Sequence, residues 1–362
     1  MIHLAKPCFG DEEKQAVMDV LDSGLIASGE VVDEFQAKFA QCCEAGYGVA
    51  ASSGTTALEV MLRAAGIGSG DKVLTTPFSF IASANCIIYT GATPVFADID
   101  PVSFNLSPAA AEEKLKTDPD IKAVLLVHLF GHPCDMDAFM YLAKKYNVMI
   151  FEDCAQAHGA EYKGKKTGSF GLASAFSFYP TKNMTTSEGG MVVTDNEEIA
   201  QKVKLLVNHG MKVRYYHDEI GYNFRMTNIA AGIGLCQLEK LDGFNEKRKS
   251  IAAFYGSNIR HPIVTHPSAS ENRSHCFHQY SVLVGEGKRD ALVKHLNENR
   301  IASGIFYPLL IPEQACYRHY NFDTEFKNAG RIKNEILSLP MHPQLTEVEL
   351  FTVADTVNQF PL

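Results

Sequence analysis

The sequence predicts an α/β protein in which a mainly parallel sheet is wrapped by helices. Residues 123–127 and 148–151 are wholly apolar, as strands buried on both faces of a sheet usually are. Helical segments separate these and further short strands, which is the spacing of crossover connections between parallel strands. With 362 residues, 46% of them hydrophobic, the chain is long enough for two domains.

Helices and strands alternate from the beginning of the chain. An entry helix is predicted over residues 11–23, with Asp11 as its N-cap and Gly24 just after its end. Further helices are predicted over residues 31–43, 58–66, a segment ending at 89, 108–115, 136–146, 197–207, 229–241, 245–254, 289–299 and 349–360. The other predicted strands cover residues 72–75, 94–99, 174–179, 191–194 and 280–284.

These elements divide the chain into three parts. We expect an N-terminal segment with the entry helix over residues 1–25, a large α/β domain over 26–240 and a smaller α+β domain over 241–362. Residues 211–228 are polar, loop-like and rich in Arg, Tyr and Phe. That composition is typical of an interface and not of a core.

Charge and composition exclude several functional classes. The formal net charge is −9 and the pI is about 5.8, so we expect neither nucleic acid nor an anionic membrane as a partner. The first residues carry no apolar signal core, and no run of 18 apolar residues occurs, which predicts a soluble, cytoplasmic protein. The nine cysteines are an odd number at irregular spacing, which predicts reduced thiols and no disulfide framework.

One lysine stands out because an apolar, aromatic strand leads directly to it. The strand over residues 174–179 is followed by Pro180, which ends it, and then by Lys182 in a turn. A lysine placed there loses much of its hydration, which lowers the pKa of the amine and makes it a nucleophile suited to Schiff-base chemistry. The alternative is a loop lysine whose charged end stays in water.

Three further features fit the same chemistry. Residues 54–56 open a helix, where free N–H groups and hydroxyls suit a phosphate, with plain N-capping as the alternative. Asp153 follows a buried strand at the sheet edge where ligands gather, with helix capping as the alternative. With Phe80 as an aromatic plate and Lys182 as a buried amine, these are the groups that pyridoxal 5′-phosphate (PLP) requires.

Three other patterns are weaker signals for other ligands. Residues 159–166 nearly match a Gly-x-x-x-x-Gly-Lys phosphate loop, but Lys166 stands where Ser or Thr is required, so we predict a hairpin turn. Residues 66–70 are glycine-rich but follow a helix, which disfavours a dinucleotide site. The third pattern is a group of potential metal ligands, His128, His132, Cys134 and Asp135. Because no second pair of potential ligands accompanies it, we predict that these side chains pack in loop and core and bind no metal.

Taken together, the motifs resemble the DegT/StrS-type sugar aminotransferases, which have the type I (aspartate aminotransferase) PLP fold. The resemblance covers nearly the whole chain, at residues 2–7, 53–58, 66–73, 152–156, 176–183, 188–190, 221–226 and 339–343. It implies a mainly parallel seven-stranded sheet and a smaller α+β C-terminal domain. It also implies an enzyme that moves an amino group, usually from glutamate, onto a nucleotide-linked keto-sugar (dTDP-, UDP- or GDP-linked) through a Schiff base on Lys182.

The resemblance further implies a role for each site residue. Lys182 would be the Schiff-base lysine and Asp153 the partner of the pyridine nitrogen, while Phe80 would stack on the ring and Gln156 would contact it near the phenolic oxygen. The phosphate contacts would be Gly54, Thr55, Thr56 and Ser177, joined by Asn223 from the partner subunit of a homodimer with shared active sites. Substrate contacts would be Tyr179, His209, Arg214 and Tyr307.

Three alternatives stay open at this stage. Some members of the family carry histidine in place of the lysine and dehydrate sugars, and the presence of Lys182 argues against that activity. An aminotransferase acting on a cyclitol or another non-nucleotide substrate would keep every cofactor residue, so the sequence distinguishes it poorly from a nucleotide-sugar aminotransferase. A regulatory member without catalysis would be expected to lose Lys182 or Asp153, and both are present.

Overall fold

The computed structural model describes residues 1–268 and 272–361. The helices of these residues are α1 Asp11–Ser23, α2 Glu30–Cys42, α3 Gly54–Ala64, α4 Ala82–Thr90, α5 Pro108–Thr117, α6 Met136–Tyr146, α7 Glu197–Val207, α8 Asn228–Asn258, α9 Arg289–Glu298, α10 Lys327–Glu335 and α11 Glu347–Asn358. The strands are β1 Tyr47–Ala51, β2 Lys72–Thr75, β3 Thr93–Phe96, β4 Ile121–Val127, β5 Met149–Asp153, β6 Glu161–Tyr162, β7 Lys165–Lys166, β8 Ala173–Ser177, β9 Gly190–Thr194, β10 Met211–Val213, β11 Tyr216–His217, β12 Val264–Thr265, β13 Arg273–Ser274, β14 Tyr280–Val284 and β15 Ile336–Leu339. No helix within this part of the chain is both long and apolar enough to span a bilayer.

A seven-stranded sheet forms the centre of the protein, in the order β1-β9-β8-β5-β4-β2-β3. The five strands from β8 to β3 are parallel to one another, whereas β9 is antiparallel to both β8 and β1. The predicted α/β class and mainly parallel seven-stranded sheet are therefore confirmed. Because β4, β5 and β8 are parallel, their last residues, Val127, Asp153 and Ser177, lie along the same edge of the sheet.

Helices cover both faces of this sheet, which explains why its strands are apolar on both sides. On one face α3, α4 and α7 enclose a core with β1, β4 and β9. On the other face α2 and α8 pack over β8 and β9, and α5 and α6 pack over β2 and β4. Burial on both faces removes the polar–apolar alternation of a half-exposed strand.

The C-terminal part builds a second apolar core around a small antiparallel sheet, β12-β14-β15. Residues of α9, α11 and the last turns of α8 cover this sheet, among them Tyr255, which is fully buried. The N-terminal segment joins this unit, because Ile2 pairs with Ile301 and the Leu4 carbonyl accepts from Met341 N at 3.0 Å.

Two helix predictions need correction. The segments predicted as separate helices over 229–241 and 245–254 form one helix of 31 residues, α8. Gly243 lies inside it, where a glycine costs only about 1 kcal/mol, and packing against the large core at one end and the small core at the other outweighs that cost. The proposed division at residues 240 and 241 falls within α8 and stays a prediction. The N-cap of α1 is Gly10 and not Asp11.

Two loop regions also have more structure than the sequence indicated. Residues 211–228 contain the hairpin β10–β11, so this segment is not loop throughout. The stretch with the phosphate-loop-like pattern is a hairpin of β6 and β7, as predicted, with β13 added at its edge.

Candidate active site

A cavity of about 530 Å³ opens at the carboxyl edge of β4, β5 and β8. Elements of both cores line it, since α3 and the loops after β5 and β8 meet residues 306–307 and β15 there. The predicted site residues that the structure brings together in this cavity are Gly54, Thr55, Phe80, Asp153, Gln156, Ser177, Tyr179, Lys182 and Tyr307. Residues distant in sequence therefore meet where the topology of a parallel sheet places a ligand.

The N-terminus of α3 forms one end of the cavity. Ser53 caps this helix by accepting from Thr56 N at 3.2 Å, and the Thr56 hydroxyl donates back to the Ser53 carbonyl at 2.9 Å. The N–H groups of Gly54 and Thr55 have no acceptor within the helix, because first-turn amides never do. Two N–H groups at the positive end of a helix dipole suit a phosphate.

Gly54 and Ser177 are in close contact at this end of the cavity. A Cβ on Gly54 would lie 2.5 Å from the Ser177 Cβ, so only glycine lets the helix approach β8 this closely. The approach places the Ser177 hydroxyl beside the free N–H groups. Thr56 does not line the cavity, because its hydroxyl belongs to the capping interactions with Ser53, and its predicted phosphate contact stays a prediction.

Asp153 is the last residue of β5, and its side chain is buried. Its Oδ2 accepts from the Ser83 hydroxyl at 2.8 Å, and its Oδ1 accepts from Ala155 N at 3.1 Å. Burial raises the pKa of Asp153 above its ordinary value, while these two hydrogen bonds and the positive charge of Lys182 act in the opposite direction. Whether Asp153 is ionised therefore depends on its interactions with Ser83, Ala155 and Lys182.

Lys182 lies in the turn after β8, where its N–H donates to the Tyr179 carbonyl at 2.9 Å. The strand ends at Ser177, three residues before Pro180, so the turn is longer than the sequence indicated. Burial lowers the pKa of the Lys182 amine to about 8, and the charge of Asp153 opposes that shift. A substantial fraction of these amines is therefore neutral, and nucleophilic, at slightly alkaline pH.

Gln156 and Tyr307 form a hydrogen-bonded pair on the wall of the cavity. Phe130 N donates to Gln156 Oε1 at 2.7 Å, which turns the amide nitrogen toward Tyr307 and lets it donate to the phenol oxygen at 3.2 Å. Burial raises the pKa of Tyr307 above its ordinary value, so the phenol keeps its proton. The Phe80 ring, 54% exposed, lies 6.2 Å from the Tyr307 ring and offers an apolar face to the cavity.

Besides Thr56, three predicted residues lie outside this cavity in the chain itself. Asn223 is exposed and pairs with Asn208 through the backbone, and Arg214 contacts Tyr215 at the tip of the β10–β11 hairpin. His209 precedes the hairpin, and its carbonyl oxygen contacts His217 Nδ1 at 2.8 Å. Their predicted roles toward cofactor and substrate stay predictions.

Sequence reasoning missed His278, which lines the cavity from the C-terminal part of the chain. Its Nδ1 lies 3.2 Å from Asn183 Oδ1, and the Asn183 amide nitrogen donates to Asn245 Oδ1 and to the Cys276 carbonyl. The Asn183 oxygen is thus the acceptor, so Nδ1 holds the proton. Burial lowers the pKa of His278 well below its ordinary value, which leaves Nε2 unprotonated. No local pattern connects His278 with Asn183, because 95 residues separate them.

The wall formed by the N-terminal segment was also missed. Leu4 and Ala5 line the cavity opposite the sheet, beside Phe306 and Met341. The stretch 2–7 belongs to the motifs noted in the sequence, but its residue types carry no signal of a site, because apolar residues are equally common in any core.

The buried group His128, Glu152 and Cys154 has the composition of a metal site but the contacts of a structural network. Glu152 accepts from His128 Nε2 at 2.9 Å and from three backbone N–H groups, those of residues 168, 170 and 171. His128 Nδ1 in turn accepts from Cys134 N at 3.0 Å. Both carboxylate oxygens of Glu152 and both ring nitrogens of His128 are therefore engaged by the protein.

The other three residues of the pattern predicted to pack in loop and core, His132, Cys134 and Asp135, also contact the rest of the protein. Cys134 Sγ donates to the Val127 carbonyl, Asp135 caps α6, and His132 stacks on His275 with ring centroids 5.2 Å apart.

The residues around the cavity fit PLP on their own geometry. A buried carboxylate, an amine of lowered pKa, a flat apolar ring and a helix N-terminus with unpaired N–H groups converge on one space. Comparison with known proteins points to the same chemistry. The sequence model of the DegT/DnrJ/EryC1/StrS aminotransferase family matches residues 7–358.

The chain belongs to the DegT/DnrJ/EryC1/StrS aminotransferase family.

Curated relatives match nearly end to end. The GDP-perosamine synthase of Caulobacter vibrioides is 39% identical over 99% of this chain and 98% of its own. A dTDP-3-amino-3,6-dideoxy-alpha-D-galactopyranose transaminase from Aneurinibacillus thermoaerophilus is 37% identical over 96% and 95%. A pleiotropic regulatory protein of Geobacillus stearothermophilus is also 37% identical, over 97% and 95%. The resemblance found in the sequence is therefore confirmed.

Solved structures of DegT/DnrJ/EryC1/StrS family proteins and other sugar aminotransferases confirm the fold class. DesV of S. venezuelae superposes with a TM-score of 0.92 at 35% identity, covering 96% of this chain and 94% of that one. A candidate sugar aminotransferase from Streptococcus pneumoniae, Spr1654 in its PLP form, gives a TM-score of 0.93 at 27% identity, covering 99% and 98%. Aminotransferases of this family depend on PLP.

Proposed function

We propose that this protein is a PLP-dependent aminotransferase that moves an amino group from glutamate onto a nucleotide-linked keto-sugar. The observation that carries the proposal is that the Lys182 amine and the Asp153 carboxylate share one cavity with a helix N-terminus suited to phosphate. Relatives named as GDP-perosamine synthase and as a dTDP-amino-sugar transaminase support a nucleotide-sugar substrate. The nine cysteines are free thiols, which supports a reducing, cytoplasmic location.

Each residue of the cavity has a task in this proposal. PLP, when bound, would supply an electron sink for the electron pair left behind when a proton leaves the carbon that bears the transferred nitrogen. Lys182 holds the cofactor covalently and, once released, moves a proton at the carbon that bears the nitrogen. Asp153 keeps the ring nitrogen protonated. Gly54, Thr55 and Ser177 hold the phosphate, while Phe80 covers one face of the ring.

The proposed enzyme is a homodimer whose active sites are shared between subunits. Asn223 lies outside the cavity of its own chain, in a segment that also exposes Tyr215, Tyr216 and Ile220 at 75%, 71% and 91%. Large exposed aromatic and aliphatic side chains on a projecting hairpin are typical of an interface. We infer that Asn223 completes the phosphate site of the partner, and that Arg214 and His209 reach the partner's substrate.

Mixing two inactive variants tests the shared site. We expect Lys182→Ala and Asn223→Ala homodimers to be inactive, and their heterodimer to regain one complete site from the intact Lys182 of one chain and the intact Asn223 of the other. A statistical mixture should then show about a quarter of wild-type activity, because half of the dimers carry one working site of two. A chain with both substitutions, mixed with wild type, provides the control. Heterodimers verified by mass that stay inactive would count against sharing.

A screen of keto-sugars tests the function itself. Purified protein is incubated with PLP, glutamate and a panel of dTDP-, UDP- and GDP-linked 3-keto and 4-keto sugars together with a keto-cyclitol, and products are identified by mass. We expect one or a few to gain an amine whose nitrogen comes from isotopically labelled glutamate. Amination of the cyclitol and of no nucleotide sugar would favour an aminotransferase for non-nucleotide substrates. Loss of water without gain of an amine would indicate a dehydratase.

A regulatory role without catalysis is the remaining candidate, because one relative is named as a pleiotropic regulatory protein. Such a protein would bind PLP or a nucleotide sugar without turning it over. Lys182 and Asp153 are both present in the cavity, and this favours the enzyme. Cofactor binding with no amine formed across the whole panel would reverse that preference.

A further inference from the structure

Two serine hydroxyls form a chain that ends on the Asp153 carboxylate. Ser83 Oγ lies 2.8 Å from Asp153 Oδ2, and Ser79 Oγ lies 2.9 Å from Ser83 Oγ. All three side chains are buried, with exposures of 4% for Ser79, 1% for Ser83 and 4% for Asp153. Hydroxyls this deeply buried need partners, and here they find each other and the carboxylate.

The direction of both hydrogen bonds follows from the number of protons that each group can donate. An ionised carboxylate only accepts, so Ser83 must donate its single proton to Asp153. Ser83 then has only lone pairs to offer Ser79, and Ser79 must be the donor in the second bond. The chain therefore points one way, from Ser79 through Ser83 to Asp153. Ser83 also lies in the first turn of α4, whose positive end favours a negative charge nearby.

We propose that Ser83, itself oriented by Ser79, is the positioning residue that keeps Asp153 ionised and fixes the orientation of its carboxylate toward the cofactor ring. This rests on the proposed function, in which Asp153 holds the proton on the ring nitrogen. A charge-assisted hydrogen bond favours the charged form of its acceptor, and Ala155 N holds the other oxygen. With both oxygens held, the carboxylate cannot rotate freely.

The hydrogen bonds from Ser79 through Ser83 to Asp153 also connect the two groups that would touch the cofactor ring, the Phe80 side chain and the Asp153 carboxylate. Ser79 immediately precedes Phe80, whose ring faces the cavity. The same short loop therefore carries the apolar plate and the first hydroxyl of the chain. A shift of this loop would move the ring contact and the orientation of Ser79 together.

The pH at which the visible absorbance of Lys182-bound PLP titrates provides the test. In Ser83→Ala, Asp153 takes up a proton more easily, so the ring nitrogen loses its positive charge and the imine nitrogen keeps its proton to higher pH. We expect the titration midpoint to rise by about one pH unit, the effect of losing one hydrogen bond to a charged group. Asp153→Asn sets the upper limit of this shift.

Other titrating groups near Asp153 are unaltered in these variants. They are Lys182, His128, Cys86, Cys154 and Tyr307. Of these, only the Lys182 nitrogen is part of the chromophore, so a moved midpoint reports the charge on the cofactor ring.

Three further variants separate positioning from simple packing. Ser79→Ala should raise the midpoint less than Ser83→Ala, and Ser83→Thr, which keeps the hydroxyl, should restore the wild-type value. Ser174→Ala, which removes a buried hydroxyl that donates to the Gly168 carbonyl at 2.8 Å, should leave the midpoint unchanged.

The outcomes are distinct. A wild-type midpoint in both Ser83→Ala and Ser79→Ala overturns the proposal, and if Ser83→Ala does not fold, the midpoint of Ser79→Ala decides. A wild-type protein that forms no lysine-bound chromophore refutes the proposed function, and not only the serine chain.

Discussion

Replacing Lys182 by alanine should abolish amine transfer, with turnover at least about ten-thousandfold below wild type. One group is expected to serve twice, as covalent anchor and as proton carrier, and a positioned acid–base group alone contributes about 10²–10⁴ in rate. Glutamate-dependent formation of the amino sugar measures the loss. Borohydride reduction of the wild-type protein should in addition fix the cofactor onto the peptide that contains Lys182.

Lys166→Ala is the matched control for this experiment. That lysine is also partly buried, but its amine pairs with Glu161 in the β6–β7 hairpin, which raises its pKa and keeps it charged. We expect near-normal turnover from this variant. Cofactor fixed to any lysine other than Lys182 would overturn the assignment of Lys182 as the Schiff-base lysine.

Replacing Asp153 by alanine should leave PLP bound but reduce turnover by about 10²–10³, the usual effect of removing one preorganised charge from a buried site. We expect binding to persist because, in the proposed function, the α3 N-terminus and Lys182 would hold the cofactor independently of this carboxylate. Absorbance of the purified variant measures cofactor content, and the amine-forming assay measures turnover.

Asp153→Asn separates the charge of this side chain from its shape. The amide is similar in size but carries no charge, so we expect it to be impaired nearly as much as the alanine variant. The amide oxygen can still accept from Ala155 N while the amide nitrogen donates to the Ser83 oxygen, so the local packing is preserved. Near-normal turnover in Asp153→Asn would show that the electrostatic role is wrong.

Elements with strong periodicity and clear ends were predicted well from the sequence. The bounds of α1, α6, α7 and β14 agree with the prediction, because each combines an apolar stripe or run with terminal signals. Predictions failed where distant contacts outweighed local signals. Two separate helices were predicted over 229–241 and 245–254, but α8 is stabilised by apolar cores at both of its ends, and a helix continues through Gly243 under those conditions.

The chemistry proposed for the site could be predicted from the sequence, because the residue types at positions 153 and 182 and the turn at 53–56 are tied to local features: the end of a strand, a turn and the beginning of a helix. The parallel order of β4, β5 and β8 then made their meeting expected. Which other residues join them is visible only in the folded protein. Leu4, Phe306 and His278 line the cavity, and Ser83 contacts Asp153, through contacts between segments far apart in the chain, which hydrophobic periodicity does not encode.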